Sequence, residues 1–181
     1  MYYYEIPKNL LDKEMLMVTR IAKTSNGIGY GGQKINSQVL RWQQKHDKIL
    51  LRVVSYENIA NDSLPIYESV KNSNFEPILS SFDIKAINPE DSSLVIDVSP
   101  LFTTDVKALG FPQYRRKSMK ITSLDKKRSF IESIKSFPIN IEARNVLTYI
   151  STEPPSQRNS QTISLEAVSY THLTLPTIYS V

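Results

Sequence analysis

Apolar and polar residues alternate along much of this chain with a period of two, the spacing that turns every second side chain to one face of a strand. Tyr2–Ile6 is a short aromatic run that predicts a strand. Glu14–Ala22 (EMLMVTRIA) is mostly apolar and predicts a strand buried on both faces. Val39–Gln44 and Lys48–Tyr56 flank Lys45-His46-Asp47, and two β-rich runs around a short polar break predict a hairpin. Ile78–Ile87 and Ser93–Val98 predict a second hairpin across the proline-led turn Asn88–Ser92. There, Phe82, Ile84 and Ala86 share one face, while Leu94, Ile96 and Val98 alternate with Val95 and Asp97. Met119–Ile121, Ile139–Tyr149 and Thr162–Glu166 predict further strands.

Helical signals are fewer. Asp62-Ser63-Leu64-Pro65 carries a capping side chain ahead of a proline, and Ile66, Tyr67 and Val70 then fall on one helical face. Thr104–Leu109 predicts a short helix stopped by Gly110 and Pro112. Ser129-Phe130-Ile131-Glu132 matches a capping box and predicts a helix over Phe130–Ser136, ended by Pro138. Consecutive strands joined by short links favour antiparallel pairing. The pattern therefore predicts a β-rich α+β fold, mainly antiparallel strands and hairpins with two or three short helices.

Composition narrows the function classes. The chain has 181 residues, 40% of them hydrophobic, enough to bury a core. It has no cysteine, which excludes disulfides, thiolate metal sites and cysteine nucleophiles. The net charge of +4 is modest. Its short basic clusters, Arg115-Arg116-Lys117 and Lys126-Lys127-Arg128, read as solvated surface rather than as a nucleic-acid footprint. No apolar run approaches the ~20 residues that cross a bilayer as a helix. Met1–Pro7 has neither the basic start nor the apolar stretch of a signal peptide, and Met1 reads as a start inside a longer protein.

Candidate chemistry is sparse. The two histidines are His46, at the predicted hairpin tip, and His172. No His-Glu-x-x-His pair is present, so no helical zinc site is predicted. The cluster Gly27-Ile28-Gly29-Tyr30-Gly31-Gly32 lacks the spacing of a dinucleotide or phosphate loop and reads as a tight loop packed by Tyr30. Asp83 and Asp97 lie on paired strands in the outward register, where like charges oppose one another. Ser69, Ser80, Ser81, Ser129 and Ser133 sit in no nucleophile elbow. Tyr2, Tyr3, Tyr4 and Trp42 read as core or sheet-face aromatics, or as a platform for peptide or sugar. No catalytic, cofactor-binding or metal residue is assigned.

The runs YYEIP, MLMVTRIAKT, GIGYGGQKINSQVLRW, KILLRVVSYENIANDSLPIYESVKNSNFEPIL, FDIKAIN, RSFIESIKSFPINIEARNVLTY and TISLE resemble a domain of unknown function. That domain lies in the N-terminal part of large bacterial zinc-dependent metalloproteases of the metzincin-like type. The resemblance covers about Tyr2 to Glu166. It implies a non-catalytic domain of an exported peptidase, periplasmic, outer-membrane-associated or secreted, which supports the protease fold or shapes the substrate cleft. It also implies zinc in a catalytic domain further along the parent chain, none of whose motif maps here. The implied partner is the remainder of that parent chain, with no nucleic acid and no membrane span. The alternative is a free-standing β-rich module that binds peptide or glycan. Val168–Thr177 reads as the translation of a transposase-end sequencing adapter. The division expected is therefore 1–166 as a partial domain and 167–181 as a non-native tail, with the strand begun at Thr162 left as an unpaired, aggregation-prone edge.

Overall fold

The computed structural model describes residues 1–156 and 158–173. Ten strands form one antiparallel sheet: β1 Tyr3–Ile6, β2 Glu14–Thr24, β3 Lys34–Lys45, β4 Lys48–Val54, β5 Ile78–Ile87, β6 Leu94–Asp97, β7 Ile121–Leu124, β8 Phe130–Ser136, β9 Asn140–Ser151 and β10 Thr162–His172. Three short helices are described: α1 Tyr67–Ser73, α2 Ser99–Thr103 and α3 Gln113–Ser118. The fold is mostly β with few helices, the coarse part of the expectation.

The spatial order is β1-β6-β5-β4-β3-β2-β10-β9-β7, with β8 also pairing to β9. β2 through β6 thus form a meander, and β10 enters between β2 and β9. The sheet curls around one large apolar cluster. Leu40, Ile49, Leu51, Ile96 and Val98 are fully buried there, and Trp42 meets Phe82 edge-on at 5.7 Å between ring centroids. A second cluster, around Ile21, Phe111, Tyr149 and Ile163, fills the other end.

Both predicted hairpins are present. β3 and β4 close at His46-Asp47, with Lys45 opposite Lys48. β5 and β6 pair through Ile84↔Ile96 and Ile87↔Leu94. β2 departs from its reading: Met15, Met17, Thr19 and Ile21 are buried while their neighbours are partly exposed, so one face is core and the other is only half covered.

Phe130–Ser136 is a strand, β8, and not a helix. The Ser129 hydroxyl that looked like a cap donates to the Asp125 carbonyl and accepts from the Thr148 backbone N–H (3.1 Å). Ile131 and Ile134 turn to the main core once β9 supplies a ladder, and tertiary pairing outweighs the local signal. Thr104–Leu109 forms turns, the helix lying just upstream as α2 with proline in its first turn. α1 begins after Ile66 without a side-chain cap and buries no residue. Asp62 does not cap it; Asn61 instead accepts from the Ser63 N–H (3.0 Å). α3 follows Pro112, in a stretch for which the sequence pattern predicts no helix.

β10 is not an edge. It pairs with β2 from Leu165 to His172 and with β9 from Thr162 to His172. The Glu166–Ala167 boundary falls inside it and coincides with a register shift against β2. Among the described residues the free edges lie elsewhere, at β1 and at β8 and β7.

Candidate functional site

The two ends of the sheet face a common cleft. A cavity of about 590 Å³ is lined on one side by Tyr2, Tyr3, Glu5 and Pro7 of the β1 segment and on the other by Ile134 and Ser136 of β8. A neighbouring cavity of about 240 Å³ continues it past Ile6, Leu10, Phe137, Pro138 and Leu173. Tyr4, Glu5, Pro7, Ser136 and Ile141 belong to both, so the two form one seam along which the curled sheet stays open.

The ladders define which backbone groups face that seam. The Val98 N–H donates to the Tyr2 carbonyl (3.0 Å), which makes Tyr2 and Val98 a hydrogen-bonded pair. By alternation the backbone groups of Tyr4 and Ile6 bond to β6, and those of Tyr3 and Glu5 point the other way. On β8 the Phe137 N–H donates to the Asn140 carbonyl (2.8 Å), so the backbone groups of Ser136 and Ile134 point away from β9. The side chains of Tyr4 and Ile6 are buried in the main core, and Ile134 and Ile141 pack against it. Tyr3, 52% exposed, and Glu5 turn outward.

The seam has an acidic rim. Glu5 accepts from the Asn88 side-chain amide (2.7 Å) and from the Ser93 hydroxyl. These bonds, the serine first, hold its carboxyl below the ordinary glutamate range. Asp91 accepts from the Ser93 backbone N–H (2.9 Å), which lowers its pKa likewise. No lysine or arginine is among the residues lining the larger cavity. The Tyr4 side chain points the other way, into the main core, where its hydroxyl has no hydrogen-bond partner among the described residues and burial raises its pKa.

The other candidates resolve into structural roles. His46 is exposed at the β3–β4 turn with φ of 55°, while His172 ends β10 opposite Leu16 and Asn140. Asp83 and Asp97 do line one cavity, of about 270 Å³. Asp83 lies 3.5 Å from Lys85 and 3.7 Å from Lys48, which offsets the repulsion read from the sequence. Asp97 accepts from the Ser99 backbone N–H (2.9 Å), and its bonds to Ser99 lower its pKa, so it stays ionised and is no proton donor at neutral pH. The glycine loop is anchored by buried Ile28, and Tyr30 is 68% exposed, contrary to expectation. At Gly29, φ is 147° and a Cβ would meet Gln33 and Ile21, so only glycine fits.

Part of the basic surface proves to be interior. Arg116 is buried and makes a two-pronged ion pair with Asp105 at 2.7 and 2.8 Å. Its guanidinium lies 5.4 Å from the Tyr149 ring centroid. Arg115 stacks on Phe111 at 4.8 Å and donates to the Ile28 carbonyl of the glycine loop. A run of like charges does not show which member will find a carboxylate, and that contact depends on residues distant in sequence. Among the described residues no group of three or more metal-ligating side chains converges, and no helix is long and apolar enough to cross a membrane.

A family model described as Domain of unknown function (DUF5117) matches residues 32–177, and a second, described as Domain of unknown function (DUF5118), matches residues 1–24. The first match runs past Glu166, where the resemblance read from the sequence ends. No curated protein and no solved structure matches the chain. β1 thus lies within one matched stretch and β8 within the other, and the seam brings the two together.

Proposed function

The chain belongs to the family described as a domain of unknown function (DUF5117), and we propose that it is a non-catalytic module that holds an extended stretch of polypeptide in the seam between β1 and β8. The carrying observation is the pair of sheet edges that line one cavity and have no strand beside them among the described residues. Such edges present rows of free N–H and C=O groups, and strand addition is the standard way proteins use them. In the setting implied by the sequence resemblance, the parent is an exported zinc-dependent metallopeptidase with its zinc in another domain. The seam would then engage the remainder of the parent chain or shape the approach to its cleft. Glycan binding is the weaker reading, because two of the four aromatics that suggested a platform are withdrawn into the core. Trp42 is 4% exposed and Tyr4 is 7% exposed, which leaves only Tyr2 and Tyr3 to offer a ring face to a sugar.

Hydrogen exchange on the purified chain tests this reading. Adding an unstructured peptide that binds should protect the Tyr3, Glu5, Ile134 and Ser136 amides and leave β10 unchanged. Protection confined to other surfaces would overturn it. Peptide hydrolysis by the chain with added zinc would overturn the non-catalytic part. The parentage is tested at the gene, where the same reading frame should encode an extended His-Glu-x-x-His-x-x-Gly-x-x-His motif downstream.

A further inference from the structure

From β8 to β1 the sheet passes through β9, β10, β2, β3, β4, β5 and β6, and every step is antiparallel. Eight reversals return the chain to its starting direction, so the two edges that face the seam run parallel to each other. A single strand between them is antiparallel to both. Two inserted strands, each antiparallel to its own edge, would run parallel to each other, so a hairpin, whose strands are antiparallel, cannot complete the ladder.

The pleat agrees. On an inserted strand, residues bonded to β1 must face outward, because Tyr3 and Glu5, whose backbone groups face the seam, carry outward side chains. The alternate residues bond to β8 and must face inward, and Ile134, whose backbone faces the seam, turns its side chain to the core. A strand with period two meets both demands at once. Inward positions would sit over Tyr4, Ile134 and Ile141. The outward position opposite Glu5 lies at an acidic rim that Asp91 shares.

We propose that the seam takes one extended peptide, antiparallel to both β1 and β8, with apolar side chains alternating inward and a lysine or arginine outward beside Glu5 and Asp91. This rests on the reading of the seam as a strand acceptor and specifies its ligand. The N-terminus of the bound peptide lies at the Pro7 and Phe137 end, and its C-terminus at the Tyr2 end.

The test uses the full chain and a capped synthetic peptide of about eight residues, valine alternating with threonine around one central lysine. Two versions carry a photoreactive group at the N- or the C-terminus. The N-terminal probe should label the Pro7–Leu10 and Phe137–Ile139 segments, and the C-terminal probe should label Met1–Tyr3. Replacing the lysine by glutamate should weaken binding about tenfold through like-charge contact with the rim. A peptide that binds with the reverse labelling overturns the polarity and leaves the strand-acceptor reading standing. Absence of binding, with the four seam amides already protected in the free chain, means the edges close on each other and overturns both. Binding that occurs only once residues 174–181 are removed assigns the seam to the chain's own last residues and overturns a partner strand.

Discussion

β10 and β1 are both antiparallel strands of one sheet, and they differ in what lies beside them. β10 has β2 on one side and β9 on the other, and Ile163, Leu165, Ala167, Val168 and Ser169 are all at least nine-tenths buried. β1 has β6 alone, and Tyr3 stands half exposed over an open cleft. A strand paired on both sides has every backbone group committed to the fold. A strand paired on one side keeps half of them available to something else. The middle of this sheet is therefore its frame, and its margin is where a ligand can be held.

Proline in the middle should show this most strongly. Val168 sits between Arg20 and Arg144, so its N–H serves one ladder whichever way it points. Val168→Pro removes that bond and buries an unmatched carbonyl, at about 3 kcal/mol or more. Against a total stability of about 5–15 kcal/mol, the variant should lose its cooperative melt or melt far lower by circular dichroism. A melt like the parent's would mean β10 is not paired on both sides.

The charged groups divide in the same way. Arg116 and Asp105 form a largely buried pair that ties the segment before β7 to Tyr149 of β9. Asp105→Asn strands a buried guanidinium, and removing one partner of a buried pair costs about 3 kcal/mol, readable as a fall in the urea midpoint. Glu5 is hydrogen-bonded only to neutral groups at the rim. Glu5→Gln should leave that midpoint near the parent's and weaken binding of the lysine peptide. Equal losses in the two variants would erase the distinction between frame and margin.

Much of the frame was legible in the sequence. Leu94, Ile96 and Val98 alternate in sequence and are buried in the fold, and the polar break at His46 is the hairpin tip. β8 was not legible, because Ser129-Phe130-Ile131-Glu132 satisfies a local helical rule and its strand character comes from β9. The seam was invisible for a deeper reason. Tyr3 and Glu5 lie more than a hundred positions from Ile134 and Ser136, and what matters is the side their backbone groups face, a property of register and not of residue type. The one available signal was the apolar-polar alternation of Tyr4, Glu5 and Ile6, which marks a strand and says nothing of its missing neighbour.

Titration offers a smaller contrast. Tyr149 of β9 is 2% exposed, and burial, aided by Asp105, pushes its pKa from 10.0 up to about 12. The folded chain thus holds this proton more tightly than the unfolded chain. The associated stability is complete below pH 10 and is lost as pH rises from 10 through 12, and the two-unit difference amounts to about 3 kcal/mol at most. Tyr149→Phe should flatten that part of the alkaline loss in urea titrations at pH 8 and pH 11. Tyr4, raised in the same direction by burial in the main core, should keep its own share.

The smallest stability effect carries the most information about the margin. The Tyr3 N–H faces the seam and belongs to no ladder bond with β6, since Tyr3 and Asp97 are a non-bonded pair. Proline is tolerated on a strand edge at such a position. Tyr3→Pro should therefore shift the melting midpoint little, by the equivalent of less than about 1 kcal/mol. The same substitution deletes one of the β1 donors that an inserted strand would use and places a ring where its backbone would lie. Peptide binding followed by fluorescence anisotropy should fall at least about tenfold. The identical residue change is thus disabling at Val168 and nearly silent at Tyr3 in the free chain, and at Tyr3 it becomes costly only when a partner strand is present. Unchanged peptide affinity in Tyr3→Pro would place the ligand elsewhere on the molecule, and a large loss of stability would mean that the β1 edge is already paired.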